Sequence, residues 1–427
     1  MRTIKFLFLA IFLLASSVAK LSATDYYWIG GGGTWEISHF SSTSGGGQDM
    51  TQLPTINDNV YFNANSGFTT ISRNVSMPTG GAACKDLIFD GCTVVPYLNV
   101  NNGLTINGSL QLQAGMTIAY SYGGPINFTS PNAGETIQWS GVEISSPVNF
   151  NGNGSWTFLD NFNQGYYGSN IIVNNNGMLI LDNITVKNNS ITVNNSAQIS
   201  IKNTIINVST WTYNSSVVLS GTASANSTIN VHGNSSNNIF STVHATDKYY
   251  NLNMVSEGSG HHINRGTFNK ITYAAGSGFL ANGGTIVTDS LLLHAFGPYQ
   301  FNNNVTVNKY LLAKSAVCGG LIDLKTNNYT TQRTLTYGGT PADIKLENVR
   351  ISNIAITGSG TPYPVTNGSD YGGNSGWNFL PGSGHTWYWV GGTGNWTDKN
   401  HWADESGGTP GSGCIPTPLD NVIFDNG

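Results

Sequence analysis

Charged side chains are scarce in this sequence. Asp, Glu, Lys and Arg make up 9% of the 427 residues, whereas ordinary soluble proteins contain about 25%. The 17 Lys and Arg residues against 22 Asp and Glu residues leave a net charge of −5. The chain therefore lacks the basic surface that nucleic acid attracts, and we predict no nucleic-acid partner.

Long hydrophobic runs are also missing after the N-terminus. The one clear run, Phe6–Ala15, follows Arg2 and Lys5 and is shorter than the roughly 20 residues that span a bilayer. We interpret residues 1–19 as a signal peptide, with cleavage after Ala19 or, alternatively, after Ala23. This predicts an exported protein, secreted or at the cell surface, without a transmembrane span.

Cysteine is rare, and no pattern of cysteines predicts a metal site. The four cysteines are Cys84, Cys92, Cys318 and Cys414, and none belongs to a C-x-x-C or Cys/His cluster. An oxidising compartment permits disulfides, and four cysteines allow three pairings. Cys84 and Cys92 flank the strand-like segment KDLIFDG and are candidates for a bond, but only if that segment turns back. Both the bonded and the free state stay open, and we predict no cofactor and no metal.

Short alternating apolar segments are abundant. Between residues 170 and 209 the apolar pairs are Ile171/Val173, Met178/Ile180, Ile184/Val186, Ile191/Val193 and Ile199/Ile201, separated by Asn, Gly, Ser and Asp. Alternation over so few residues is typical of half-buried strands. Successive pairs are six to eight residues apart, so three of them make a unit of about 20 residues.

This spacing favours a parallel β-helix, in which each coil has three short strands and the coils stack. Steps of this length are too short for most strands joined by hairpins in an antiparallel β-sandwich, which is the alternative. Asn tolerates the left-handed backbone at corners and forms side-chain ladders between coils. The predicted fold is all-β, a right-handed parallel β-helix of the pectin-lyase-like solenoid type. The spacing degrades over residues 210–360, where we expect irregular coils.

One aromatic and Gly-rich phrase occurs twice. Trp28 and Trp389 lie 361 positions apart, and later matches lie 362 apart because the second copy has one extra residue. We divide the chain into a signal peptide (1–19), an opening motif and N-terminal cap (25–96), a β-helix unit (97–379), a linker (380–386) and a truncated second unit (387–427). We expect that residues 387–427 have no complete core of their own.

The structural residues of this repeat, with the closing tryptophan of the first unit, form the candidate set. They are Trp28, Gly30, Gly31, Trp35, Pro54, Asp58, Phe62, Trp377, Trp389, Gly391, Gly392, Trp396, Trp402, Pro416, Asp420 and Phe424. We expect the tryptophans to pack over bends where Gly allows close approach. We expect each aspartate to cap a turn, although the repeated aspartates could also serve calcium.

Three phrases together carry a resemblance. The opener YWVGGTGNWTDKNHW, the segment CKDLIFDG and the closer DYGGNSGWNF resemble those of repeat-bearing bacterial surface proteins with adhesin-like β-helices, often exported by the type IX route. The first opener departs from this pattern at Thr34 and Phe40, where the second copy has Asn395 and Trp402. The resemblance implies a non-catalytic adhesin, stalk or matrix component with surface glycans or other cells as partners.

The sequence gives weak cues for catalysis. A glycoside hydrolase needs two carboxylates about 5–10 Å apart, yet the nearest acidic pairs are Asp86 with Asp90 and Asp404 with Glu405. His261 and His262 are adjacent, so on a strand they point to opposite faces, and we expect them in a surface loop. We predict a protein that is not an enzyme. The alternatives are a secreted polysaccharide lyase or glycoside hydrolase, and a carbohydrate-binding β-helix that uses exposed Trp or Tyr.

Overall fold

The computed structural model describes residues 23–119, 124–165, 170–232, 239–256, 259–328 and 330–425. Within these ranges the regular structure consists of short strands and three 3-10 turns, Ile37–His39, Pro341–Asp343 and Lys399–His401, without an α-helix. Nor do these ranges contain a helix long and apolar enough to cross a membrane. The predicted signal peptide lies outside the described residues.

Four large sheets run along the molecule. Sheet one contains Asp25–Trp28, Phe40–Ser41, Asn59–Phe62, Leu87–Phe89, Leu110–Gln111, Glu135–Gln138, Ser155–Phe158, Met178–Asp182 and Gln198–Lys202. Sheet two contains Gly33–Thr34, Asn74–Ser76, Tyr97–Asn99 and Thr117–Ala119. Sheet three contains Ala82–Cys84, Leu104–Ile106, Ile126–Phe128, Val148–Phe150, Asn170–Val173, Ser190–Val193, Thr210–Tyr213, Ile239–Thr242, Ser259–Ile263, Ser277–Leu280, Gly297–Phe301, Ile322–Thr326, Val349–Ser352 and Ser369–Asp370.

Sheet four and two small sheets complete the fold. Sheet four contains Glu143–Ile144, Phe162–Gln164, Thr185–Lys187, Ile205–Val208, Thr228–Val231, Lys248–Met254, Gly266–Tyr273, Ile286–Leu293, Val305–Ala313, Arg333–Tyr337, Ile344–Leu346 and Ile354–Thr357. Tyr363–Thr366 pairs with Trp377–Leu380, and Thr386–Trp389 lies between Trp402–Ala403 and Asn421–Ile423.

Neighbouring strands of the four sheets pair in parallel, one coil above the next. In the regular region Ile171 lies opposite Ile191 and Leu179 opposite Ile199, so each coil has 20 residues. This confirms the predicted parallel β-helix and its coil length, and rules out the antiparallel sandwich. Antiparallel pairing among the described strands is confined to the two opening motifs, as between Trp28 and Phe40.

One predicted pair of inward residues is wrong. In Met178–Asp182 the buried side chains are Leu179 and Leu181, whereas Met178 and Ile180 are only half-buried. Four consecutive apolar residues leave the facing of the strand ambiguous, because a shift of one residue exchanges the two faces. Parallel register decides it, since Leu179 lies opposite the buried Trp156 of the coil below.

Asparagine occupies the sharp corners, as predicted. Among the described residues, eight Asn have φ between 50° and 58°, in the left-handed region that other side chains rarely adopt. They are Asn175, Asn183, Asn195, Asn203, Asn226, Asn348, Asn353 and Asn367. Asn also links coils through its side chains: Nδ2 of Asn230 donates to Oδ1 of Asn207 at 2.9 Å, and Nδ2 of Asn253 donates to Oδ1 of Asn230 at 2.9 Å.

The coils change form after Lys202, where sheet one has its last described strand. Between Lys248 and Ala313 sheet four has strands of seven to nine residues, such as Gly266–Tyr273. In that strand Phe268 and Ile271 both face inward, while Asn269 and Lys270 face outward between them. A bend inside one long strand therefore replaces a corner, which explains why the short spacing degrades in the sequence.

The stack of coils starts before residue 97. Asn74–Ser76 pairs in parallel with Tyr97–Asn99, and Ala82–Cys84 pairs with Leu104–Ile106. The predicted boundary between cap and β-helix thus falls within continuous sheets. At the other end, Trp377 is buried and its Nε1 donates to the carbonyl of Ile354 at 2.8 Å.

Candidate functional site

The first opening motif, residues 25–62, is built around the indole of Trp28. This ring lies 5.3 Å from Phe40, edge to face, and 5.1 Å from Phe62. Its other neighbour is His39, which stacks at 4.7 Å. Nε1 of Trp28 donates to the carbonyl of Gly31 at 2.7 Å. Aromatic residues thus form a small packed layer that covers one end of the β-helix.

Asp58 caps the turn that leads into the strand Asn59–Phe62. Its Oδ2 accepts from the backbone N–H of Thr55 at 2.9 Å and from the Thr55 hydroxyl at 2.6 Å. Oδ1 accepts from the N–H of Thr24 at 3.2 Å. The aspartate therefore ties the start of the chain's first strand to this turn.

The second opening motif, residues 386–424, repeats this geometry. Trp389 stacks on His401 at 4.7 Å, lies edge to face with Trp402 at 5.0 Å and lies 5.5 Å from Phe424. Nε1 of Trp389 donates to the carbonyl of Gly392 at 2.6 Å. The two motifs share one internal fold although they lie 361 positions apart.

The aspartate cap is repeated as well. Oδ2 of Asp420 accepts from the N–H of Thr417 at 2.7 Å and from its hydroxyl at 2.8 Å, while Oδ1 accepts from the N–H of His385 at 2.7 Å. Burial raises the pKa of Asp420, but these hydrogen bonds outweigh burial, so the pKa lies below its ordinary value. At neutral pH the carboxylate is the form that holds the turn.

The two motifs differ in what covers them. Trp35 and Phe62 are 1% and 0% exposed, whereas their counterparts Trp396 and Phe424 are 46% and 62% exposed. Gly31, Pro54, Trp377, Trp402 and Pro416 are buried, Trp389 is half-buried, and Gly30, Gly391 and Gly392 are exposed. The second motif therefore presents aromatic rings that the first motif buries.

A disulfide joins the second motif to the β-helix. Cys318 is bonded to Cys414, with 5.0 Å between their Cα atoms. The N–H of Ile415 donates to the carbonyl of Cys318 at 3.2 Å. Gly319 has φ of +72° and a Cβ there would collide with the carbonyl of Ile415, so this contact requires glycine.

Of the two states left open for Cys84 and Cys92, the structure has the free one: both are buried thiols without a bond between them. The strand Leu87–Phe89 extends between them instead of turning back. Cys84 faces the core opposite Ile106, and extended backbone of this length exceeds the roughly 4–7 Å between Cα atoms that a disulfide spans. Burial is the main factor that raises the pKa of both thiols, to about 11 for Cys92.

A cavity of about 660 Å³ lies between the second motif and the β-helix. His385 and Trp387 line it on the motif side, with 5.3 Å between their rings. Asn348 and Asn367 line it on the β-helix side. Nζ of Lys314, also in the lining, pairs with Oε2 of Glu347 at 2.6 Å. An aromatic side chain, amides and a charged pair thus face one concave space.

Carboxylates elsewhere are engaged in local hydrogen bonds. Asp86 accepts from the N–H of Ser109 at 2.8 Å and pairs with Lys85 at 3.1 Å. Both oxygens of Glu135 accept from serine hydroxyls, one of them Ser109 at 2.9 Å. Asp404 accepts from the Ser412 hydroxyl at 2.7 Å, whereas Asp90 and Glu405 are exposed.

Sequence reasoning missed an ion pair on sheet three. Asp323 lies opposite Arg350 on the next coil, and its two oxygens accept from Nε at 3.0 Å and from Nη2 at 2.9 Å. Lys325 adds a contact at 3.3 Å, and the guanidinium lies 4.8 Å from the ring of Tyr371. Hydrogen bonding to Asp323 raises the pKa of Arg350 above its usual value. The partners are 27 residues apart in the sequence. Predicting the pair would have required knowing the length of this coil.

We expected His261 and His262 in a surface loop, but both lie in the strand Ser259–Ile263. His261 is buried and its Nε2 contacts the carbonyl of Ser256 at 2.9 Å, whereas His262 stacks on Phe279 at 4.5 Å. Burial lowers the pKa of both imidazoles. The two rings lie on opposite faces, as their adjacency predicts. Within the described ranges, no group of three or more His, Cys, Asp or Glu side chains is placed to hold a metal ion.

The chain was compared with protein-family models, curated proteins and solved structures. No family model matches it. No curated protein and no solved structure matches it significantly either.

Proposed function

We propose that this chain is an exported, non-catalytic repeat protein of the cell surface that serves as an adhesin, stalk or matrix component. The observation that carries the proposal is the continuous stack of coils between two copies of one opening motif. Fourteen described strands of sheet three, about 4.8 Å apart, make a rod roughly 60 Å long. Such a rod can hold a binding surface away from its point of attachment.

The outward polar side chains support a structural role. Asn207, Asn230 and Asn253 hydrogen-bond to one another across coils. Asp323 is likewise engaged with Arg350 across coils. Because each coil contacts mainly its neighbours, these ladders and the stacked core stiffen the rod along its length. Groups that bind neighbouring coils are not available as catalytic acids or bases without breaking those bonds.

The case for export rests on separate features. Residues 1–19 have the composition of a signal peptide. The Cys318–Cys414 bond suits an oxidising compartment outside the cytosol. The resemblance to type IX-exported adhesin-like proteins agrees with both.

The test attaches the mature chain to beads and measures how many beads stay bound to cells or to glycan-coated surfaces after washing. Beads that carry folded protein should stay bound, and beads that carry chemically unfolded protein should wash off. The same folded protein should release no reducing ends or unsaturated sugars from a panel of polysaccharides. Turnover of any polysaccharide would overturn the non-catalytic assignment, and equal retention of unfolded protein would remove the adhesive role.

A second candidate is carbohydrate binding, favoured by the cavity between the second motif and the β-helix. Trp387 supplies an aromatic surface there, and Asn348 and Asn367 supply amides, which is the usual combination for a sugar. Glycan binding should be lost in Trp387→Ala and kept in Trp396→Ala, a matched control outside the cavity lining. Equal binding by both variants would exclude the cavity as the glycan site.

A further inference from the structure

In the first opening motif, the next coil covers the aromatic layer. The strand Leu87–Phe89 pairs in parallel with Asn59–Phe62, with Leu87 opposite Val60 and Phe89 opposite Phe62. The rings of Phe62 and Phe89 stack at 4.3 Å. The contact therefore combines a sheet edge with an apolar surface.

Main-chain hydrogen bonds fix the register of that contact. The N–H of Val60 donates to the carbonyl of Asp86 at 2.8 Å, and the N–H of Lys85 donates to the carbonyl of Asp58 at 2.7 Å. The N–H of Asp90 donates to the carbonyl of Phe62 at 2.9 Å. The covering segment is thus residues 85–91, KDLIFDG, bound as an extended strand.

The second motif has the same edge, but it is exposed. Asn421–Ile423 pairs with Thr386–Trp389 just as Asn59–Phe62 pairs with Asp25–Trp28. Its Val422 and Phe424, equivalent to Val60 and Phe62, are exposed. The contacts of Trp389 with His401, Trp402 and Phe424 match those of Trp28 with His39, Phe40 and Phe62, so Phe424 is held in the position that accepts a strand in the first motif.

We infer that this face of the second motif, formed by Val422 and Phe424, is a docking site for an extended apolar strand of the KDLIFDG type. The strand adds in parallel to the edge Asn421–Ile423, which is the β-augmentation mode of recognition. By the register of the first motif, its leucine lies opposite Val422 and its phenylalanine opposite Phe424. Main-chain bonds give the affinity, and the L-x-F spacing gives the specificity.

The first motif identifies the kind of segment that binds this face. The first motif shows which chemistry covers this face: two large apolar side chains two residues apart, flanked by Lys-Asp before and Asp-Gly after. The equivalent main-chain groups in the second motif belong to Asp420, Val422 and Phe424. This binding goes beyond the proposed surface role and does not depend on adhesion or on a glycan.

The probe is a fluorescent peptide with the sequence KDLIFDG, added to the full disulfide-bonded chain. Its anisotropy should rise on binding. A control peptide with Asp in place of both Leu87 and Phe89 should bind at least tenfold more weakly. Equal binding of the two peptides would overturn the inference.

Variants of the chain locate the site. Val422→Pro removes the N–H equivalent to that of Val60 and should weaken peptide binding at least tenfold. Phe424→Ala should weaken binding without altering the main-chain edge. Val422→Asp serves if the proline variant misfolds, since Val422 is exposed. Unchanged binding in these variants would place the peptide elsewhere and contradict the inference.

Analytical sedimentation of the chain without peptide tests whether a second copy of the chain occupies the site instead. A monomer across the working concentration range is the expected result, because the site prefers an L-x-F strand to a second copy of itself. A concentration-dependent dimer that Val422→Pro abolishes, and that the peptide does not dissociate, would show that the face binds a second chain and would overturn the inference.

Discussion

Trp35 and Trp396 hold equivalent positions in the two opening motifs, yet Trp35 is 1% exposed and Trp396 is 46% exposed. The N–H of Trp35 donates to the carbonyl of Ser76 at 2.9 Å, so the next coil both binds its backbone and buries its ring. In the second motif, Trp396 contacts Trp402 instead, and Nε1 of Trp402 donates to the carbonyl of Trp396 at 2.8 Å. The same sequence phrase thus has two different environments.

This difference predicts unequal costs of truncation. Trp35→Ala should lower the free energy of unfolding by about 3–5 kcal/mol, because it removes a fully buried ring and leaves a cavity. Trp396→Ala should cost less than about 1 kcal/mol. Denaturant unfolding followed by far-UV circular dichroism measures both variants. Equal losses would mean that Trp396 is buried in solution.

Reduction of the Cys318–Cys414 bond should release the second motif and leave the β-helix intact. The bond closes a loop of 96 residues, for which chain entropy predicts a stabilisation of about 4.7 kcal/mol. Hydrogen exchange in Thr386–Trp389 should accelerate at least tenfold on reduction or in Cys414→Ser, while exchange in Ile171–Val173 stays the same. Cys92→Ser is the matched control, since Cys92 is a free thiol. An unchanged exchange rate in Cys414→Ser would show that contacts other than the disulfide hold the second motif on the β-helix.

Acid should loosen the turn that Asp420 caps. Because the folded-state pKa lies below the ordinary value of 3.8, the carboxylate stabilises the folded turn fully above the unfolded pKa. That stability is lost as the pH falls through the lowered folded pKa. The protection factors of the N–H groups of His385 and Thr417, which correct the exchange rates for their intrinsic pH dependence, should therefore fall below about pH 4. Asp420→Asn should have low protection factors at pH 7 already, with little change on acidification; a curve like that of the natural chain would refute the role of this carboxylate.

Cys84 and Cys92 should resist alkylation in the folded protein. Burial removes solvent access and raises the pKa of each thiol, so the thiolate is a minor form at pH 8. Iodoacetamide followed by mass spectrometry should label neither thiol until denaturant unfolds the chain, and then both. Absence of label after unfolding without reductant would indicate a disulfide between them after all.

The carbohydrate and strand-docking proposals can be separated by two substitutions. Trp387 lines the cavity, and Phe424 lies on the strand-docking face. A variant that loses glycan binding but keeps peptide binding supports the first site alone, and the reverse result supports the second alone. Each site thus provides the control for the other.

The sequence by itself determined the conformation of each coil, because a coil is encoded by residues that are close together in the chain. Alternating Ile and Val residues, steps of six to eight residues and corner asparagines such as Asn195 encode strand, face and bend within about 20 residues. The repeat of the opening phrase was visible for the same reason. Where four apolar residues follow one another, as in Met178–Leu181, the local pattern no longer fixes the facing, and the neighbouring coil decides it.

The tertiary structure alone decided the contacts between distant segments. Cys318 pairs with Cys414 because the second motif lies against the β-helix, and Asp323 pairs with Arg350 because parallel stacking places their strands side by side. The burial of Trp35 and the exposure of Trp396 depend on whether a further coil covers the motif. A residue's own neighbours in sequence carry no information about that cover, since it is supplied by stacking.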